Sequence, residues 1–379
     1  MDGGVDMRPT GEMVMTRSPA FARNSKSPRG SGRVYSWAVV FLLGADAASA
    51  GPVIVVADQT QEAIQAALDA LGGPGTVLIP PGQYEIEGTL LIRTDGVTLQ
   101  GSGADQTLLY RLTDGTNTSL VRSNSHRQVR ITGISFEGVT SPDSNGVEVG
   151  IRLDSSVDFR VDNCFFTRLG RSGVWTNGSS SGVVDHCAFY DMYKPPVGTD
   201  GYGVEVGGID MLEGEPFGSA RATFIEDSTF QLCRHAVASN RAARYVFRYN
   251  YVTQDQIAHA VDAHGTEFGS MVGTEWVDVH DNWIDNPIFV TYAVRIRGGQ
   301  GLVWNNVFIG YNEGIELTQD TTETTGPVYI WGNSISPDTS PMVRARGTMG
   351  TPTFALSPPD DYVPFPYPHP LTGAGEENR

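Results

Sequence analysis

Residues 279–284 read VHDNWI, residues 303–308 VWNNVF and residues 330–335 IWGNSI. Each is a short apolar strand, a polar pair, then asparagine and an apolar residue. The same figure recurs upstream as ITGISF (131–136), VDNCFF (161–166), VDHCAF (184–189), IEDSTF (225–230) and FRYNYV (247–252). The last residues of successive instances step by 30, 23, 41, 22, 32, 24 and 27. A short basic period with variable excess belongs to a solenoid whose loops accept insertions while its strands keep register. The runs are β-branched and aromatic, and Gly, Asn and Asp break them every few residues, so each coil is read as short strands joined by turns. Stacked coils then make parallel sheets, with about nine or ten coils over residues 58–350.

The fourth position of the motif reads Ile134, Cys164, Cys187, Ser228, Asn250, Asn282, Asn306 and Asn333. Asparagines stacked about 4.8 Å apart can bond from coil to coil. Cys164 and Cys187 fall on adjacent rungs of this column, where parallel side chains are poorly oriented for a disulfide, so they are expected as free, buried thiols. Upstream, Ala63, Ile64, Ala67, Leu68 and Leu71 repeat at helical spacing before Gly72-Gly73. Such a helix would close the open end of the stack. The Pro-rich stretch 357–371 has neither period and is expected to lie across the stack in extended form.

The order of helix, GGPGTVLIPPGQYEI (72–86), LLIRTDGVTLQGSG (90–103) and asparagine-laddered coils resembles the pectate-lyase-like superfamily over roughly residues 58–370. The resemblance implies an all-β, right-handed parallel β-helix with an N-terminal capping helix. It does not select an activity, because lyases, hydrolases and epimerases share the fold. VVDHCAF (183–189) resembles a pectate-lyase signature without its tryptophan, and RIRGG (295–299) resembles a polygalacturonase segment without the paired aspartates.

Charge and leader bound the partners. The formal net charge is −17, and residues 51–379 hold 20 basic against 39 acidic groups, which disfavours nucleic acid. Lysine is confined to Lys26 and Lys194, so lysine-dependent chemistry past the leader would have to use Lys194. Arg23, Lys26, Arg29 and Arg33 precede the apolar run 34–45, and Ala48-Ser49-Ala50 follows as a cleavage site. This predicts a signal peptide cut near Ala50 and a secreted or periplasmic protein. No segment in the mature chain is long and apolar enough to span a membrane. The expected divisions are a leader over 1–50, a β-helix over 51–356 and a tail over 357–379. Oligomeric state is not legible.

A second strand in each coil aligns by its inward pairs: Val147/Val149, Val174/Thr176, Val204/Val206, Val237/Ser239, Val261/Ala263, Val294/Ile296 and Ile315/Leu317. Alternation puts the residues between and after them outward, facing solvent. One column reads Glu148, Trp175, Glu205, Ala238, Asp262, Arg295, Glu316, and the next reads Gly150, Asn177, Gly207, Asn240, His264, Arg297, Thr318. Strand entries form a third: Asn145, Ser172, Tyr202, His235, His259, Tyr292, Glu313.

Three of the chain's seven histidines thus fall on two adjacent coils, beside YAVRIRG (292–298). Trp175 and Tyr202 supply rings for sugar stacking, and Arg234, Asn240, Glu205 and Glu316 supply polar tips. Arg295 and Arg297 can clamp a carboxylate. The expected partner is an anionic, uronic-acid-containing polysaccharide, cleaved by β-elimination. His264 or His259 would be the base, Tyr292 or His235 the acid, and Arg295 or Arg297 the neutraliser, with Asp262 orienting a histidine. Three alternatives stand beside it. A hydrolase would pair Asp262 with Glu316 or Glu205 at roughly 9.6 Å. A metal-dependent enzyme would use Asp262, His264 and His235, or calcium on the acidic columns. A glycan-binding scaffold would use the same stripe without catalysis.

Overall fold

The computed structural model describes residues 40–41, 51–112, 118–139, 148–192, 200–253, 259–266, 269–321 and 325–373. The expected leader, apart from Val40–Phe41, lies outside the described residues, as do Lys194, Asn145 and Val147. The strand Val40–Phe41 pairs antiparallel with Val53–Val55. Every other pairing is parallel and joins one coil to the next, making a right-handed parallel β-helix. Among the described residues, one sheet holds 13 strands and the other 18. The larger sheet bends, because Trp283–Ile296 and Val307–Thr318 each run through the bend and pair on both sides of it.

Side-chain ladders hold the coils in register. Phe136, Phe166, Phe189 and Phe230 stack inside at centroid spacings of 5.0, 4.8 and 4.7 Å, one ring per rung. At the turn, Asn250 Nδ2 donates to Asn282 Oδ1 at 3.1 Å, Asn282 Nδ2 to Asn306 Oδ1 at 2.9 Å, and Asn306 Nδ2 to Asn333 Oδ1 at 2.9 Å. Cys164 and Cys187 lie on the same column, free and buried. The residue before each column member is left-handed, from Asn163 (φ 52°) and His186 (φ 51°) to Tyr249 (φ 55°) and Asn305 (φ 53°). That need explains the preference for Gly, Asn and Asp within the polar pair.

The helix Gln61–Ala70 starts at Thr60, whose side chain accepts from the Ala63 N–H, and it buries Ile64, Ala67 and Leu68. It also satisfies the open edge. The Gln65 amide donates to Leu91 O at 3.0 Å and accepts from Leu91 N at 2.8 Å, imitating a neighbouring strand. At the other end of the chain the Pro-rich tail runs back along the 13-stranded sheet. Tyr362 donates to Asp278 at 2.6 Å, Arg248 donates to the Phe365 and Pro366 carbonyls at 2.7 and 2.8 Å, and Glu226 accepts from His369 N at 2.8 Å. The tail is not extended throughout: Pro370–Thr372 forms a 3-10 turn.

Candidate active site

The strand-entry column is a stack of rings, one per coil. Tyr202 lies 5.5 Å from His235, His235 4.2 Å from His259, and His259 5.0 Å from Tyr292, centroid to centroid. Tyr202 belongs to the strand Tyr202–Gly207 and not to the preceding loop. The neighbouring column follows the expected order from Trp175 onward: Trp175 pairs with Glu205, Glu205 with Ala238, Ala238 with Asp262, Asp262 with Arg295 and Arg295 with Glu316.

One coil departs from the expected alignment. Ile151 and Leu153, not Val147 and Val149, sit opposite Val174 and Thr176, so Arg152 takes the rung assigned to Glu148 and Asp154 the rung assigned to Gly150. The I-x-L pair in VGIRLD carried the correct register.

The columns are also drier than strand alternation implies. Tyr202, Glu205, His235, His259, Asp262, His264, Tyr292 and Glu316 are all buried. Their charges are neutralised sideways, from rung to rung. Arg171 holds Glu205 with two bonds of 2.7 Å, and the guanidinium groups of Arg152 and Arg171 lie 4.0 and 3.8 Å from the Trp175 ring centroid. Trp175 and Glu205, read from sequence as sugar contacts, are therefore engaged by arginines. Arg295 pairs with Glu316 at 2.8 Å, and Arg346 also reaches Glu316. Arg344 pairs with Glu313 at 2.8 Å. Arg344 and Arg346 were missed by the sequence reading, although MVRAR (342–346) repeats the same outward alternation. Arg234 donates to Tyr202 Oη at 3.3 Å, and Asn240 ends its strand partly exposed.

Asp262 is the focus. Its Oδ2 lies 2.6 Å from Arg297 Nη2, 2.8 Å from His264 Nε2, 3.1 Å from His259 Nε2 and 3.5 Å from His235 Nε2. Arg297 Nε adds a bond of 3.0 Å to Oδ1, so the fork expected to clamp substrate is spent on Asp262. Burial alone would raise the Asp262 carboxyl, but the facing His259, His264 and Arg297 outweigh it and hold it well below the usual carboxylate range. Burial pushes the His235 and His259 imidazoles below their ordinary value, His235 further. Burial pushes the Tyr292 phenol up to about 12.

An ionised Asp262 only accepts, so the hydrogen it shares with His264 belongs to Nε2, and Nδ1 is the basic nitrogen of that ring. The carboxylates of the columns are covered by guanidinium groups, a poor setting for calcium, which prefers several open oxygens. Among the described residues, His235, His259 and Asp262 are the group whose ligand atoms converge, all within 4.8 Å of one another.

A family model described as rhamnogalacturonase A/epimerase, pectate lyase-like, matches residues 56–257 and ends just before His259. No curated protein matches in sequence. Among solved structures, a mannuronic-acid-specific polysaccharide family 6 lyase from the human gut microbiota is 13% identical, covers 80% of this chain and 82% of its own, and superposes with a TM-score of 0.53. The A-module of an Azotobacter vinelandii mannuronan C-5 epimerase is 15% identical over 79% of this chain and 95% of its own, at 0.49. An alginate lyase from a Paenibacillus species is 14% identical over 78% and 99%, at 0.42. At these identities the likeness is one of fold.

Proposed function

Because the chain belongs to the rhamnogalacturonase A/epimerase, pectate lyase-like family, we propose that it is a carbohydrate-active enzyme that cleaves a uronic-acid-containing polysaccharide by β-elimination. The observation that carries this reading is the pairing of His264 with an ionised Asp262 beside Arg295 and Tyr292. His264 Nδ1 is enclosed in this structure, so the approach of the polymer must uncover it before it takes the proton at C5 of the uronate. The C4–O bond then breaks as the C4–C5 double bond forms, and the leaving oxygen needs a proton. Tyr292, with its phenol pushed up to about 12, keeps its proton at neutral pH and can give it.

Arg295 is the group suited to the sugar carboxylate. Its side chain is 24% exposed, and Glu316 keeps Arg346 as a second partner if Arg295 turns away. Arg297 serves Asp262 instead. The hydrolase alternative is weaker on the same grounds: an inverting or retaining pair needs one protonated carboxyl, whereas Asp262 is held ionised and Glu316 lies between two arginines.

The test is a panel of alginate, polygalacturonate, rhamnogalacturonan and neutral glycans, read by near-ultraviolet absorbance. A rise on an acidic polymer supports elimination. New reducing ends without absorbance would mean hydrolysis, exchange of the C5 hydrogen with solvent without cleavage would mean epimerisation, and affinity without turnover would mean a binding scaffold. Export is part of the proposal, on the strength of the apolar run 34–45 and Ala48-Ser49-Ala50. N-terminal sequencing of protein from the periplasm or medium checks it, and an intact leader there would overturn it.

A further inference from the structure

His235 and His259 have no task in the elimination just described, yet they lie in the most enclosed part of the site, 1% and 5% exposed. Their polar atoms are poorly served. His235 Nδ1 donates to His259 O at 2.7 Å, which leaves the lone pair on Nε2, and that lone pair faces the Asp262 carboxylate at 3.5 Å without a hydrogen bond. His259 Nε2 is 3.1 Å from the same oxygen, an electrostatic contact that falls short of a well-formed hydrogen bond, and its buried Nδ1 has no hydrogen-bond partner. A buried lone pair aimed at an anion is costly unless something positive sits between them.

We propose that His235 Nε2, His259 Nε2 and Asp262 Oδ2 bind one divalent transition ion of the zinc type, with a fourth position left to an anion. Zinc bonds of about 2.0–2.1 Å in a tetrahedron put neighbouring ligand atoms about 3.3 Å apart, and the two histidine–aspartate separations are 3.1 and 3.5 Å. The three ligand atoms lie within 4.8 Å of one another, and the two imidazoles, 4.2 Å apart centroid to centroid, must spread slightly to close on one ion. Two imidazoles and one carboxylate suit zinc or cobalt rather than calcium or magnesium. The His235 Nδ1 bond to a backbone carbonyl is the outer contact that fixes a metal-binding ring in the required tautomer. His264, at 2.8 Å from the same oxygen, stays a hydrogen-bond partner of Asp262 and is not a ligand.

Arg297 sets the limit on affinity. Its guanidinium already balances the Asp262 charge, so a doubly charged ion among neutral imidazoles leaves positive charge in excess. The fourth ligand must therefore be an anion. Ion binding stands without the elimination reading, since it uses only His235, His259 and Asp262.

Calorimetric titration of the chelator-treated, full-length protein with zinc chloride tests the site, with the visible spectrum of a cobalt titration as a second measurement. One ion per chain, with affinity in the micromolar range or tighter and an intense tetrahedral cobalt spectrum, is expected. His235→Ala and His259→Ala should each weaken binding by about a hundredfold or more, since losing a ligand costs at least as much as losing an outer-shell partner, while the protein remains folded by circular dichroism. A wild-type protein that takes up no zinc, or two folded variants that bind as well as wild type, would overturn the proposal. If the variants do not fold, a wild-type thermal midpoint that does not rise with zinc would overturn it equally. Elimination is assayed separately: turnover without ion binding defeats this inference and leaves the function standing, and ion binding without turnover does the reverse.

Discussion

His264 Nε2 lies 2.8 Å from Asp262 Oδ2, two residues back along the same coil. The contact fixes which ring nitrogen is basic, so the two residues should fail in different ways. His264→Ala removes the base and should lower kcat by about a hundredfold or more. Asp262→Asn can present an N–H to the ring and leaves Arg297 without its anion, so it should lower kcat and thermal stability together. Steady-state rates with melting curves separate the two. Wild-type turnover in folded His264→Ala would remove this histidine from the mechanism.

Arg295 and Arg297 are two residues apart and do different work. Arg295 is the more exposed, with side-chain exposures of 24% and 13%. Arg295→Ala should raise KM for an acidic polymer severalfold or more with little loss of stability, because Glu316 retains Arg346. Arg297→Ala strips a buried carboxylate of its bidentate partner and should destabilise the protein by about 3 kcal/mol. Urea unfolding and KM measured on both variants decide the assignment; a shared effect on KM alone would contradict it.

The β-helix was legible because its ladders repeat one residue type at one place in each coil, as in Asn250, Asn282, Asn306 and Asn333. The column of Tyr202, His235, His259 and Tyr292 was legible from the alignment of the second strands, although His259 lies just ahead of Val261–Ala263 and Tyr292 lies within the continuous strand Trp283–Ile296 rather than at its entry. What escaped depends on how one coil meets another. The alignment that placed Glu148 beside Trp175 failed because the next valid apolar pair, Ile151 and Leu153, lies four residues on, and both alternations look alike in sequence. Burial of the columns escaped because it follows from arginines reaching across rungs, as Arg171 reaches Glu205 and Arg297 reaches Asp262. No local period encodes those contacts. The course of the tail is set by pairs such as Tyr362 with Asp278, 84 residues apart.

The asparagine ladder makes a prediction about stability alone. Asn282 Oδ1 accepts from Asn250 N at 2.9 Å and from its Nδ2 at 3.1 Å, while Asn282 Nδ2 donates to Phe247 O at 2.8 Å. Asn282→Ala orphans buried groups on two coils and should cost about 3 kcal/mol. Asn282→Asp should be worse near neutrality, since a second acceptor then faces Phe247 O and Asn306 Oδ1. Chemical unfolding of the pair checks the order, and equal stability to wild type would mean that the ladder is decorative.

The tail should loosen in mild acid, and His369 is the reason. Burial, then the nearby Arg248 and Arg160, lowers its imidazole from 6.5 to about 4. His369 Nδ1 accepts from Leu371 N at 3.1 Å, so a proton there would also break the cap of the closing turn. The released tail takes up a proton near its ordinary value, whereas the docked tail refuses it until far lower. Docking therefore weakens as pH falls below about 6.5 and levels off below about 4. With those two values the open population should rise about thirtyfold between pH 7.5 and 5. Glu226, which accepts from His369 N, is raised by burial and pulls the other way as it protonates. His369→Phe keeps a ring against Phe224 and Phe365 but cannot titrate. The rate of proteolytic clipping within residues 357–373 should climb on acidification in the wild type and stay nearly flat in His369→Phe. The same slope in both would assign the response to Glu226 or another acid and clear His369 of it.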